Sequence, residues 1–281
     1  MDISVAKQRI LIFDSRISEE KARALAWEKK LNAFGALSQV ASLFSHPKDE
    51  DFSLRYHEFR YQPFWHVVSH AKYVYDRTHD YQIPASHSVV QSVEFESKQY
   101  EITHGHFHIP TMEHCVQEES DAALVDGVSG EETQSFSAYL SESYSVVDGA
   151  LEAHIPKGSI IVPPQSRVSA IMRNSLAKMI KGIQADTIVE EHVEVSRVDL
   201  YYYPIYAYQY EWTNKKKDAI VEVDGVFGTV KTGSRVFSEY IGKVLDPNFL
   251  FDVGADAAGL LVPGGSIAVK VAKKYFDSKN K

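Results

Sequence analysis

A chain of 281 residues with 44% hydrophobic content is long enough for one large or two ordinary domains around a substantial core. Its 38 acidic against 30 basic residues exclude a general phosphate-backbone binder, which needs surplus Lys and Arg to displace counterions. The single cysteine, Cys115, forbids an intramolecular disulfide, and the apolar run at 10–13 is too short for a secretory signal, so a cytoplasmic setting is expected.

In chain order, the run at 10–13 reads as a strand. Ser18 then caps a predicted helix, with Glu19 and Glu20 in its first turn and a stripe of Trp27, Leu31, Phe34, Leu37, Ala41 and Phe44 at helical spacing. From Tyr61, "YQPFWHVVSHAKYVYDRTHDYQI" alternates aromatic and β-branched residues as two-faced strands do. A second helix is predicted from a Ser166 cap, with Val168, Ile171, Met172, Leu176, Met179 and Ile183 inward. The densest feature is "YYYPIYAYQYEW" at 201–212, followed by Lys215, Lys216 and Lys217 at a solvated hairpin tip.

The hexapeptides "VDGVSG" at 125–130 and "VDGVFG" at 223–228 organise this order. Each carries the Asp-Gly of a tight turn, and each is preceded by a Tyr-x-Pro strand entry and, further upstream, by a helix. The expected fold is therefore α+β, with two helix-plus-antiparallel-meander units related by internal duplication and a C-terminal helix. The units would span 1–150, with a His-rich insertion at about 80–125, and 151–232. A Gly-rich segment and a helix capped by Ser266, with Ile267, Val271 and Tyr275 inward, would occupy 233–281. The apolar stretch at 249–272 holds Asp252, Asp256 and Pro263-Gly264-Gly265, so it is not expected to span a membrane.

Nine of the twelve histidines lie between His57 and His114. If 100–109 is a strand, His104, His106 and His108 share one face, and neighbours two apart, about 7 Å at the backbone, can converge on one ion. With a chain break at Ile109-Pro110, Glu113, His114 or Cys115 could complete a zinc or iron site, the leading set being His106, His108 and Glu113. The leading reading of the same residues is a polar, solvent-facing strand, with the metal site second. The segment "HFHIPTME" resembles the first metal motif of the cupins, which implies a double-stranded β-barrel around a metal. The second motif's histidine has no counterpart in "IPKGSIIVPPQSRV".

On the aromatic ladder, Tyr202, Tyr206, Tyr208, Tyr210 and Trp212 share one face, and Trp65 belongs to the matching strand upstream. Such a face either packs under a helix or serves as a recognition surface. Helix-covered meanders with an Asp-Gly turn resemble cystatin-like and PepSY-type modules in general shape, which implies a binding or inhibitory role. The functional reading is a non-enzymatic binding or assembly module, without cofactor, that meets a protein partner or itself through these aromatic faces. The alternative is a metal-dependent hydrolase or oxygenase at His106, His108 and Glu113. Reversible membrane-surface contact through the tail, with Lys270, Lys273 and Lys274, ranks third.

Overall fold

In the computed structural model, which describes residues 2–35, 47–233 and 268–269, three long strands set the architecture. These are β3 (Phe52–Pro84), β6 (His106–Asp126) and β9 (Thr187–Trp212). β3 runs antiparallel to both others, pairing with β9 over Phe52–Asp76 and with β6 over Phe64–Pro84. The far edge of β9 is shared by β10 (Lys217–Asp224, antiparallel), β2 (Arg9–Ile12, parallel) and β1 (Asp2–Val5, parallel). A β-bulge, marked by the register shift between Val68 and Ser69 of β3, separates the β2 and β1 stretches of β9. Short strands complete the sheet: β7 (Ser145–Val146) beside β2, β8 (Ile160–Ile161) beside β3, β11 (Val230–Gly233) beside β10 and β12 (Ala268–Val269) beside β1. Strands β4 (Ser92–Phe95) and β5 (Lys98–Glu101) form a separate hairpin.

Both sheet faces are buried over the middle of β3 and β9. On one face lie the helices, α1 (Glu19–Ala33) over Tyr208, Tyr210, Val221 and Val223, and α2 (Val168–Met179) over Trp65, Val67, Tyr73 and Val193. On the other, the 3-10 helix Gln134–Ser141 lays Phe136 and Tyr139 over Phe64, Tyr201, Tyr203 and Ile205. Two-sided burial explains why this part of β9 is apolar at successive positions and not only at alternate ones.

The repeated hexapeptides build the same turn twice. Gly127 donates its amide to the carbonyl of Pro63 (3.0 Å), and Gly225 donates to Pro204 (2.8 Å). In each turn the Asp side chain accepts two backbone amides, from Val128 and Ser129 at Asp126 and from Val226 and Phe227 at Asp224. Gly130 and Gly228 close the turns at φ +77° and +71°, the left-handed region that favours glycine.

This recurrence does not divide the protein into two helix-plus-meander α+β units, as the sequence suggests. The molecule is mostly β, the two Tyr-x-Pro strands are neighbours in one large mixed sheet, and α1 and α2 lie on the same face of it. The reason is pairing: β3 and β9 bond to each other along 25 residues of β3, far more than either bonds locally to its own helix. The barrel implied by the cupin-like segment is likewise replaced by this twisted sheet, with His106 and His108 at its far end.

Ser18 caps α1 as expected, accepting from the Lys21 amide at 3.2 Å. Of its predicted stripe, Trp27 and Phe34 pack on Tyr210 and Trp212, while Leu37, Ala41 and Phe44 lie outside the described residues. The second helix begins one residue later than expected, with Arg167 at the cap position, and ends before Ile183. Where a C-terminal helix is expected, Ala268–Val269 is strand; the rest of that tail lies outside the described residues.

Candidate interaction arm and polar pocket

The third strand stops where Asp76 meets Thr187, and among the described residues β3 and β6 continue as a pair, from Arg77 opposite Glu113 to Pro84 opposite His106. About eight residue pairs at 3.4 Å each carry this arm roughly 27 Å beyond the sheet, with the β4–β5 hairpin at its tip. The ribbon has water on both faces, so cross-strand polar pairs replace a core. Glu113 accepts from Arg77 Nε and from the Tyr81 hydroxyl, both at 2.6 Å. These two donors, Tyr81 first, hold its carboxyl below the usual range. His108 Nδ1 lies 2.6 Å from Asp80, and His114 Nδ1 lies 2.7 Å from Asp76. Several apolar side chains stay exposed, among them Tyr81 (46%), Ile83 (37%) and Met112 (53%).

The arrangement shows what the histidine-rich segment is. Strand β6 does not break at Pro110; it runs through it in unshifted register. Alternation then puts His106 and His108 on one face and Glu113 on the other, against Arg77 and Tyr81. His104 sits in the turn before β6 at φ +53°, and its carbonyl lies 3.1 Å from His106 Nδ1. Cys115, half-buried, packs against the core under α2 on the face opposite His114. Among the described residues no three His, Cys, Asp or Glu side chains converge as metal ligands. The partners Asp76, Arg77, Asp80 and Tyr81 escape sequence reading because only the β3–β6 register brings them opposite the histidines and Glu113.

The residues read as an aromatic recognition surface are core. Trp65, Tyr202, Tyr208, Tyr210 and Trp212 are buried under the two helices, and the half-buried Tyr206 donates to the Ile17 carbonyl.

A polar pocket of about 190 Å³ opens on the face opposite the helices, lined by Gln62, Asp126, Tyr203, Ile205, Glu222, Lys231 and Thr232. Beneath it the fully buried Arg60 guanidinium donates to Glu58 (2.7 Å) and to Glu222. The Gln62 amide, oriented with its oxygen toward Arg60 Nε (2.9 Å), donates to the Tyr203 hydroxyl. The carboxylates here are occupied by internal donors, Glu222 by Arg60 and Asp126 by two backbone amides, so the network braces the sheet.

Comparison with protein-family models, with curated proteins and with solved structures finds no match to this chain. Among the described residues no helix is long and apolar enough to cross a membrane.

Proposed function

We propose that this protein is a non-enzymatic binding or assembly module whose contact element is the β3–β6 arm, and that it works in the cytoplasm on a protein partner or another copy of itself. One observation carries the reading: a two-stranded ribbon extends beyond the sheet with apolar side chains exposed on it and, among the described residues, no third strand paired to it. An isolated ribbon of this kind is marginal in water, so its ordering costs conformational entropy that only a contact made at the arm offsets. The cross-strand pairs of Glu113, His108 and His114 keep it extended without a core of its own.

The test is an arm-shortened chain in which an Asn-Gly turn joins Arg77 to Glu113 in place of residues 78–112. The body keeps its thermal midpoint, and proteins recovered from the source cells by the full-length chain are lost with the shortened one. Identical capture by both chains overturns the reading.

A further inference from the structure

We infer that the outer edge of β6 pairs antiparallel with the same edge of a second copy, joining two sheets across a two-fold axis at Val116. This goes beyond the arm reading above: the axis at Val116 lies on the three-stranded part of the sheet, so the pairing does not depend on the arm.

The edge is open. Among the described residues β6 bonds in a ladder only to β3. The direction of its other backbone groups is fixed at both ends: Asp126 donates to Glu131 and Leu124 accepts from Thr133, while His106 exchanges both bonds with Thr103. The register between these ends is unshifted, so every even-numbered residue from His108 to Ala122 turns its N–H and C=O away from β3. About 50 Å of unpaired strand edge results. Pro110 fits this phase, since the N–H it lacks would have faced outward.

The edge is also unguarded. Natural sheets blunt a long edge with bulges, lysines or inward charges. Here β6 holds no Lys or Arg and no bulge, and Pro110 near its outer end is the one blocking residue. Three of its acidic side chains are already neutralised inside the chain, Glu113 by Arg77, Glu119 by Lys181 and Asp121 by Lys178. What this edge accepts is a strand, and a second copy supplies one that fits. With Val116 opposite its twin, His114 stands opposite Glu118 at two symmetry-related places, a ring nitrogen beside a carboxylate. The exposed Val116 side chain is then covered by itself. Glu113 meets Glu119 in this register, each retaining its own cation. Pro110 falls opposite Ala122, at the end of the new ladder, where a missing donor costs least.

The experiment measures the mass of the full chain in solution by sedimentation equilibrium. The wild-type chain is a dimer, twice 31.7 kDa. Val116→Pro removes an outward N–H and leaves the β3 ladder intact, and Val116→Lys sets like charges opposite each other; each raises the dimer dissociation constant at least about tenfold. Thermal midpoints unchanged from wild type show that both variants fold. In a Cys115→Ser background, Val116→Cys cross-links the dimer under oxidised glutathione and Glu118→Cys does not, which reads the register.

A wild-type chain that stays at 31.7 kDa up to its solubility limit overturns the inference, as does a dimer that neither variant weakens. The arm-shortened chain keeps residues 113–122 and stays dimeric. Partner capture that needs the arm, with a monomeric wild type, leaves the assembly reading standing and removes this inference alone.

Discussion

The Tyr139 hydroxyl donates to the Asp224 carboxylate inside the core, fastening the 3-10 helix Gln134–Ser141 to the second of the two repeated turns. Burial, and secondarily the carboxylate, push the phenol far above its usual pKa, so it remains a donor at any pH the fold survives. Asp224 spends its other oxygen on the amides of Val226 and Phe227. Tyr139→Phe leaves a buried carboxylate oxygen without its donor and is expected to cost about 1.5–3 kcal/mol, the worth of a hydrogen bond to a charged group, in urea unfolding. A loss under about 0.5 kcal/mol would mean water replaces the hydroxyl.

The two repeated turns differ in what stands over their first glycine. A Cβ at Gly127 would come 2.7 Å from the Pro63 carbonyl oxygen, a backbone atom that cannot turn aside; at Gly225 the nearest atoms are side-chain atoms, Ser15 Oγ at 2.8 Å, which can rotate, and the Pro204 ring Cγ at 2.9 Å. Gly127→Ala is therefore expected to cost about 1–3 kcal/mol, and more than Gly225→Ala. Chemical denaturation of the two single variants checks the order, and the reverse order would refute it.

Arg60 is fully buried between Glu58 and Glu222. Removing its charge strands two carboxylates in a low dielectric, so Arg60→Met is expected to destabilise by about 3–5 kcal/mol. Replacing all three together with apolar residues of similar volume should recover most of that loss, because the cost lies in the unpaired charge rather than in missing packing. A triple variant as unstable as Arg60→Met would show that the network holds the β3–β9–β10 register instead.

How much of this was legible depends on the range of the interaction. Ser18 with Glu19 and Glu20 starts α1 by local capping chemistry, and a local pattern reads directly. The two faces of the aromatic ladder follow from a period of two, and the hexapeptides from turn chemistry. The parallel pairing of β1 and β2 with β9 is set by contacts nearly 190 residues apart, which no local window contains. Strand β3 beyond Asp76 has no apolar alternation because water lies on both sides of it. The metal set failed to assemble at one residue: Pro110 reads as a strand break, yet it is tolerated on a free edge, and the uninterrupted strand turns Glu113 away from His106 and His108.

His66 is buried beside Asp199, its cross-strand neighbour, whose carboxylate is held by Arg9 at 2.8 and 2.6 Å; Arg197 lies against Asp199 from the other side. Among the described residues its ring Nδ1 has no hydrogen-bond partner. Burial, and then the Arg197 charge, lower its pKa below 6.5, with Asp199 opposing. A histidine with a depressed folded pKa binds fewer protons when folded than when unfolded in the window between that value and 6.5. Stability therefore rises with pH through that window, and the contribution is complete above 6.5 and lost progressively below it. His66→Gln removes the titration, so the thermal midpoint of wild type should fall more steeply than that of the variant between about pH 7 and 5. Parallel curves for the two proteins would show that the imidazolium is accommodated, and that Asp199 outweighs burial at this position.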